Sequence, residues 1–252
     1  MGAGKKYIFH PARAYGIACE ANMLWTAPMI ETTLNDAPRS QTSLAYEAIR
    51  NDIIAGVHLP GKKLKIQDLA EELKVATGAV REALSRLVPE QWVISRDQRG
   101  FSVAPLSMED LRDLTDLRCE IEAIALRRSV ARGDVDWEVR ILSAAHRLRA
   151  MPQPEPQLRD GASIADWVAR HAEFHAALVS ACDSRRLLAL HGQLYEQSER
   201  YRILSAFGEG KRDVADEHQK IADYALARDA DNLVATMTDH IRLTTELIIA
   251  AN

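Results

Sequence analysis

The sequence has few cysteines, no long apolar run and no recognisable leader, and each absence excludes a class of protein. Its three cysteines, Cys19, Cys119 and Cys182, are far apart and form no CxxC pair. This argues against a disulfide framework and predicts free thiols in a reducing compartment. No segment approaches the roughly 20 apolar residues of a membrane span, and acidic and basic residues interrupt the N-terminal apolar stretch of a possible signal peptide. We therefore expect a cytoplasmic protein without a membrane partner.

An overall positive charge is also lacking, since the net charge is −4. Residues 107–252 carry 19 basic and 25 acidic side chains, whereas residues 40–106 carry nine and eight. The acidic half is a poor nucleic-acid surface, so any DNA contact must come from a local basic cluster. That cluster comprises Lys62, Lys63, Lys65, Arg81, Arg86, Arg96 and Arg99.

A chain of 252 residues with 47% hydrophobic content is long enough for two domains. Residues 1–39 show no sustained periodicity and contain Pro11, Pro28 and Pro38, so we predict a flexible N-terminal extension. A basic arm that grips DNA is the alternative, and Met23 or Met29 leaves a later translation start open. We place the two domains at residues 40–106 and 107–252.

The stretch QDLAEELKVATGAVREALSRL, residues 67–87, has the pattern of a helix-turn-helix. Apolar residues recur at helical spacing before and after the turn Lys74–Ala76. Thr77 is predicted to cap the second helix, which places Gly78 and Arg81 in its first turn, where a recognition helix meets DNA. Arg81 is therefore the leading candidate for a base contact.

The flanking segments extend this pattern to a winged helix-turn-helix. A supporting helix with Ala45, Ile49 and Ile53 on one face precedes it and stops at Gly56. Two short strands, residues 92–95 and 101–103, follow it and enclose a polar turn. Arg99 and Gly100 lie at the tip of this wing.

Residues 107–252 contain six helical patterns and no strand pattern, which predicts an antiparallel six-helix bundle and a mainly α protein. The first helix begins with a capping box at Ser107. The predicted buried stripe of this helix is Leu111, Leu114, Leu117, Ile121 and Ile124. Residues 152–163, which include three prolines, are predicted to form a loop.

Four histidines fall on the apolar stripes of this bundle. His171 and His175 are four residues apart on one helix, whereas His218 and His240 lie on two others. Burying an unsatisfied polar ring costs about 1–3 kcal/mol, and a shared metal would satisfy all four. The alternative is that each histidine is bonded separately within the core. His191, beside the stripe of its helix, is a weaker candidate for the same cavity.

The first domain resembles the DNA-binding domain of GntR-type transcription regulators. The strings LPGKKL, DLAEEL, VREALSRL and RGFSV occur in that family's order, over residues 40–106. The family commonly has Ser-Arg-Thr-Pro before VREAL, where this chain has Ala76–Ala79, so we expect an unusual operator. The resemblance implies a homodimer that binds an inverted repeat in double-stranded DNA, most often as a repressor. The residues expected to contact DNA are Arg50, Lys65, Gln67, Thr77, Gly78, Arg81, Arg86, Arg99 and Gly100.

The second domain resembles the FCD ligand-binding domain of the FadR branch, through HAEFHAAL, EHQKIADYALARD and MTDHI. In that family one Asp and three His usually bind a metal, and here His171 stands at the Asp position. Four nitrogen donors favour a divalent transition metal such as zinc or nickel over magnesium. Six helices resemble the VanR-like subgroup.

The resemblance also implies a small carboxylate effector. Arg118 matches an Arg common in the first FCD helix, and Arg202 is a further candidate for binding this effector. A structural ion pair between Arg118 and Glu122 is an equally open alternative. The effector would shift the spacing of the two winged helices.

Two other functions compete with this regulator. One is a metal-dependent, hydrolase-like enzyme on a helical bundle, but no HExxH motif supplies a base, and Glu173 lies on the outer face of its helix. The other is a DNA-binding protein whose bundle only dimerises. We expect no enzyme activity.

Overall fold

The computed structural model describes residues 40–96, 99–151, 161–204 and 212–251. The predicted extension, residues 1–39, and most of the predicted loop lie outside these ranges. The elements are, in chain order, α1 (Gln41–Ile54), β1 (Lys63–Leu64), α2 (Ile66–Leu73), α3 (Thr77–Leu87), β2 (Val93–Arg96), β3 (Gly100–Val103), α4 (Met108–Arg132), α5 (Val135–Arg149), α6 (Gly161–Val179), α7 (Arg185–Leu204), α8 (Val214–Leu226) and α9 (Ala230–Ala250).

The first domain packs α1, α2 and α3 against a small antiparallel sheet of order β1-β3-β2. Ser102 of the central strand faces both Lys63 and Ile94. Ile49, Leu84 and Trp92 are almost completely buried in the core between helices and sheet. The predicted winged helix-turn-helix is therefore confirmed. Strand β1 was not predicted, because two residues are too few to show an alternating pattern.

Two residues with left-handed backbone shape the helix-turn-helix. Gly56 (φ 77°) follows the end of α1, and Lys74 (φ 54°) ends α2 and begins the turn. The predicted cap at Thr77 is wrong, because Ala76 occupies the cap position and Thr77 is the first helical residue. Ala76 has no capping side chain, but its backbone N–H donates to Oε1 of Gln41 at 3.0 Å.

The second domain consists of the six predicted helices, α4 to α9. Side chains of Ser107, Asp134, Asp213 and Asp229 cap α4, α5, α8 and α9. Helix α6 already begins at Gly161, so the last three residues of the predicted loop are helical. Among the helices that the structure describes, none is both long enough and apolar enough to cross a membrane.

The buried face of α4 differs from the predicted stripe. Leu111 and Leu114 are buried, but Leu117 and Ile124 are 43% and 48% exposed. Arg118 and Glu122 are buried instead, at 8% and 1% exposure. The helix is thus rotated so that charged side chains enter the bundle, and the apolar edge of α4 remains open to solvent.

Helix α7 connects the two domains through polar contacts. Glu196 forms an ion pair with Arg50 of α1, and Gln197 donates to the backbone oxygen of Glu90 at 3.0 Å. Arg200 donates to the backbone oxygen of Ala104 at 2.5 Å. Burial lowers the pKa of Arg200 to about 10, a value at which the guanidinium is still charged near neutral pH. These contacts fix α7 against the winged helix.

Candidate metal centre and nucleic-acid interface

The structure brings His171 and His175 of α6, His218 of α8 and His240 of α9 together inside the helical domain. One ring nitrogen from each lies within 4.8 Å of the others. All four side chains are buried, with exposures between 1% and 6%. The i, i+4 spacing on α6 directs its two rings to the same side, and α8 and α9 complete the set.

The four imidazoles are held in the neutral form that coordinates metals. Burial is the largest cause that lowers the pKa of His171, His175 and His218 well below the ordinary value. The pKa of His240 is also lowered, again chiefly by burial, although its hydrogen bond to Glu217 acts in the opposite direction. A neutral ring keeps one nitrogen lone pair, which is what a transition metal requires.

The spacing of the rings and their unsatisfied atoms fit a metal ion. The Nε2 atoms of His171 and His175 are 3.1 Å apart, close to the separation of about 3–3.5 Å expected for two nitrogens that share an ion at about 2.0–2.1 Å each. His175 Nδ1 and His218 Nε2 are buried without a hydrogen-bond partner among the described residues. A divalent transition metal would satisfy His218 Nε2, because neutral imidazole nitrogen is a preferred ligand for zinc and nickel. It would not satisfy His175 Nδ1, because a ring that binds an ion through Nε2 cannot bind the same ion through Nδ1.

Three neighbouring side chains orient these rings. The hydroxyl of Tyr195 lies 2.8 Å from Nδ1 of His171, and Trp167 stacks on the same ring at 4.8 Å between centroids. Glu217 bonds to Nδ1 of His240 at 2.8 Å. Burial would raise the pKa of Glu217, but hydrogen bonds and charge from His240 and Arg212 together lower it to about 2. The sequence predictions missed all three, because the pattern shows no signal for which polar residue contacts a ligand ring.

Arg118 and Arg202, the predicted effector residues, differ in how fully they are bonded. Arg202 makes a two-point ion pair with Glu199 and stacks over Trp167. Arg118 lies over the ring of Tyr195, 5.0 Å from its centroid, and its buried Nε has no hydrogen-bond partner among the described residues. In Glu122, the partner in the alternative ion pair, Oε2 bonds to His191 at 2.9 Å and the buried Oε1 has no hydrogen-bond partner among the described residues. Arg118 therefore keeps donor capacity for a carboxylate, whereas Arg202 is held within the protein.

His191 and Glu173 lie outside the four-histidine group. His191 bonds to Glu122 at 2.9 Å rather than joining the other rings. Burial would raise the pKa of Glu122, but the charge and hydrogen bond of His191, followed by the charge of Arg118, lower it. Glu173 pairs with Arg147 and Arg170 on the outer face of α6, as predicted. No carboxylate base is thus supplied to the site from this position.

The predicted DNA-contacting residues mostly lie on exposed parts of the winged helix. Gln67, Thr77, Gly78 and Arg81 are exposed along α2 and the start of α3. Nothing lies within 4 Å of a side chain built at Gly78, which leaves the first turn of α3 open. Arg81 makes no ion pair within the described residues. These are the properties expected of a recognition helix before it meets DNA.

The remaining predicted contacts divide into two groups. Lys65, Arg99 and Gly100 are exposed, and Gly100 (φ 79°) begins β3 at the wing. Arg86 is exposed but stacks over Tyr46 of α1, 4.7 Å from its centroid. Arg50 does not lie with this group: it is paired with Glu196 of α7 and packs over Trp92. Arg50 therefore forms a contact between the domains, and its contact with DNA stays a prediction.

Known proteins share both parts of this architecture. Residues 41–103 match the family described as bacterial regulatory proteins, gntR family, and residues 113–243 match the FCD domain. The regulator BphR of Paraburkholderia xenovorans is 39% identical over 212 residues, which cover 83% of this chain and 86% of BphR. The repressor GlaR of Escherichia coli is 34% identical over 208 residues, 79% of this chain and 92% of GlaR. The structure of E. coli McbR/YncC, at 16% identity, has the same fold with a TM-score of 0.69 over 84% of this chain and 99% of that one.

Proposed function

We infer that this chain, which belongs to the GntR family of bacterial regulatory proteins and carries an FCD domain, is a repressor controlled by a metal and a small carboxylate. The family assignment makes it a DNA-binding transcription regulator and not an enzyme. Binding to an inverted repeat as a homodimer in the cytoplasm is part of the proposal. So are the repressor role, which the name of GlaR supports, and the VanR-like subgroup, which the six helices support.

The observation that carries the proposal is the convergence of four buried histidines from three helices. Each of the four rings places one nitrogen within 4.8 Å of the others, and His218 Nε2 has no hydrogen-bond partner among the described residues, which supports a ligand set for zinc, nickel or cobalt. His171 belongs to this set on geometry, since its Nε2 faces that of His175 and Tyr195 holds its other nitrogen. When bound, the ion supplies a positive centre that an anionic effector would recognise.

Arg118 is the proposed effector contact from the protein. Its guanidinium is buried, and its Nε lacks a partner among the described residues. An unpaired buried donor is costly, so a carboxylate that accepts its hydrogen bonds would be stabilised there. Arg202 is set aside as an effector contact because Glu199 already occupies two of its donors.

Helix α7 supports a route from this site to DNA binding. Tyr195 and Glu199 lie beside His171, whereas Glu196, Gln197 and Arg200 contact the winged helix. A change at the site that moves α7 would therefore change the position of the winged helix. In a dimer this displacement would alter the spacing of the two recognition helices, and hence the affinity for an inverted repeat.

The test begins with elemental analysis of the purified protein, as isolated and after incubation with zinc or nickel. His171→Ala, His218→Ala and His240→Ala should each lower metal affinity, while His146→Ala, at an exposed position on α5, should not. Because His171 replaces the usual Asp, its variant is expected to lose the least. Failure of the wild-type protein to bind any transition metal would favour separately bonded core histidines.

DNA selected from a random pool is then used to test whether metal and effector control DNA binding. Its affinity should change when the metal is removed by a chelator or when small carboxylates are added, and this response should be lost in Arg118→Ala. DNA affinity that ignores metal and every carboxylate would support the alternative of a bundle that only dimerises. Recovery of the operator most common in the family would contradict the expectation based on Ala76–Ala79.

A further inference from the structure

Glu217 lies outside the four-histidine set but contacts one of its rings. It occupies the first turn of α8, directly before His218, and its side chain is 23% exposed. Its Oε2 is 2.8 Å from Nδ1 of His240 on α9. Among the carboxylates that the structure describes, it alone bonds directly to one of these four rings, since Glu199 is 3.9 Å from His171. Glu217 thus differs from the other acids near the site.

Arg212 holds this carboxylate in place. Its Nε donates to Oε1 of Glu217 at 2.7 Å, and one terminal nitrogen donates to Oε2 at 2.5 Å. The same nitrogen donates to the backbone oxygen of His240 at 2.9 Å, and the other terminal nitrogen donates to Thr244 at 2.7 Å. The arginine therefore braces the carboxylate against α9, the helix that carries His240.

The number of protons on Arg212 shows which residue donates the hydrogen bond between Glu217 and His240. The terminal nitrogen nearest the ring has two protons, and both are already donated, one to Glu217 and one to the backbone of His240. Although that nitrogen is 3.1 Å from Nδ1, it has no N–H group left to donate a hydrogen bond to the ring. Since an ionised carboxylate can only accept, Nδ1 of His240 must carry the proton.

From these contacts we propose that Glu217 is a positioning residue that fixes the tautomer of His240 and thereby sets the metal affinity of the four-histidine site. With the proton held on Nδ1, the lone pair of the neutral ring is on Nε2 and is ready for a metal before any metal arrives. His171 differs, because its partner is the hydroxyl of Tyr195, which can donate or accept and so leaves the tautomer open. The inference rests on the proposed metal binding for its effect on affinity, but not for the tautomer itself.

The first experiment compares zinc affinity in Glu217→Gln with that of the wild-type protein, by competition with a chromophoric chelator. Loss of a carboxylate that orients a ligand histidine typically weakens metal binding about 10- to 100-fold, and we expect a loss in that range. Glu173→Gln is the matched control, because it removes an acid from ion pairs on the outer face of α6. Equal affinity of Glu217→Gln and wild type would overturn the proposal.

Two further measurements separate positioning from a purely structural role. Arg212→Gln removes the brace but keeps the carboxylate, so it should weaken zinc binding less than Glu217→Gln does, and a loss as large would contradict the assignment. The absorption spectrum of the cobalt-loaded protein should change in Glu217→Gln and not in Glu173→Gln, and identical spectra for Glu217→Gln and wild type would count against it. Melting temperatures of the metal-free variants identify any that do not fold.

Nitrogen NMR of the metal-free wild-type protein tests the tautomer without any metal. His240, assigned by comparison with His240→Gln, should carry its proton on Nδ1, and a proton on Nε2 would overturn the inference. Absence of zinc binding in the wild type would refute the proposed function and with it the effect on affinity. Zinc binding that is equal in wild type and Glu217→Gln would refute the positioning role alone.

Discussion

The two domains bury different kinds of side chain. The structure describes fourteen buried polar or charged side chains; His58 is the one in the winged helix, and the other thirteen lie in the helical domain. The winged helix has an apolar core and keeps Arg81 and Gly78 on its surface, the side from which DNA would approach. The helical domain keeps its candidate ligands inside.

Binding and stability are coupled in the helical domain but not on the DNA-binding surface. A DNA contact at an exposed arginine can be lost without disturbing the core beneath it. In contrast, four histidines that share the interior with Phe174 and Met237 contribute to stability as well as to binding. Metal, pH and effector should therefore act on the stability of the helical domain, whereas substitutions on the DNA surface should leave stability almost unchanged.

Acidification should produce the largest contrast between the domains. The pKa values of His171, His175, His218 and His240 are lowered in the fold, chiefly by burial, whereas in the winged helix His58 alone has such a shift. As pH falls below about 6.5, these histidines bind protons in the unfolded chain, whereas in the folded chain they stay neutral because their pKa values are lower. The free energy of unfolding therefore decreases as pH falls below this value, by up to about 1.4 kcal/mol per pH unit for each histidine.

Hydrogen exchange of the metal-free protein at pH 7.5, 6.5 and 5.5, corrected for the intrinsic pH dependence of exchange, resolves the two domains. Protection should fall first in α6, α8 and α9. Equal loss of protection in the winged helix would contradict the expected difference in pH sensitivity between the two domains. Metal should shift the transition to lower pH, because bound imidazoles do not protonate.

Leu84→Ala should have the next largest effect and act on the winged helix. Leu84 of α3 is completely buried in the core of the winged helix. Removing its side chain leaves a cavity that costs about 2–5 kcal/mol, measured by urea unfolding. Ser85→Ala, one residue further along α3 and exposed, should change stability by less than about 0.5 kcal/mol. A metal-binding affinity that falls with Leu84→Ala would show the domains to be less independent than their cores indicate.

Zinc should stabilise the helical domain selectively. At a free concentration one hundred times the dissociation constant, linkage predicts about 2.7 kcal/mol, measured as a rise in the unfolding midpoint of the metal-free protein on addition of zinc. His218→Ala should reduce this gain, whereas His146→Ala should retain it. No shift in the wild type at saturating zinc would contradict the internal placement of the binding site.

Arg81→Ala should have a smaller effect, confined to DNA. If Arg81 reads a base with two hydrogen bonds, its loss weakens binding by about 1–3 kcal/mol, measured by titration of the selected operator. Arg127→Ala is the control, since Arg127 is exposed in the helical domain and pairs with Asp231. The unfolding midpoint should be unchanged in both variants. Full affinity and selectivity in Arg81→Ala would remove this residue from base recognition.

Much of the fold was predictable because it depends on local patterns. Periodicity identified α1 to α9, and Ser107 marked the start of α4, where its side chain accepts from Asp110 N–H. The four histidines were found as a group because each falls on the apolar stripe of its own helix. The cap at Thr77 was misplaced by one residue because Thr is a preferred capping residue and Ala is not, whereas in the structure Ala76 takes the cap position and its N–H donates to Gln41, 35 residues away.

The sequence was sufficient to predict the order of the helices and of the strands β2 and β3, and the face of each helix on which a histidine lies. The burial of Arg118 and Glu122 and the exposure of Leu117 and Ile124 were visible only in the folded chain, because a hydrophobic pattern assumes that buried side chains are apolar. The same holds for the ion pair of Arg50 with Glu196 between the domains and for the bond of Glu217 to His240. These pairings depend on distances between separate helices, which spacing along a single helix does not encode.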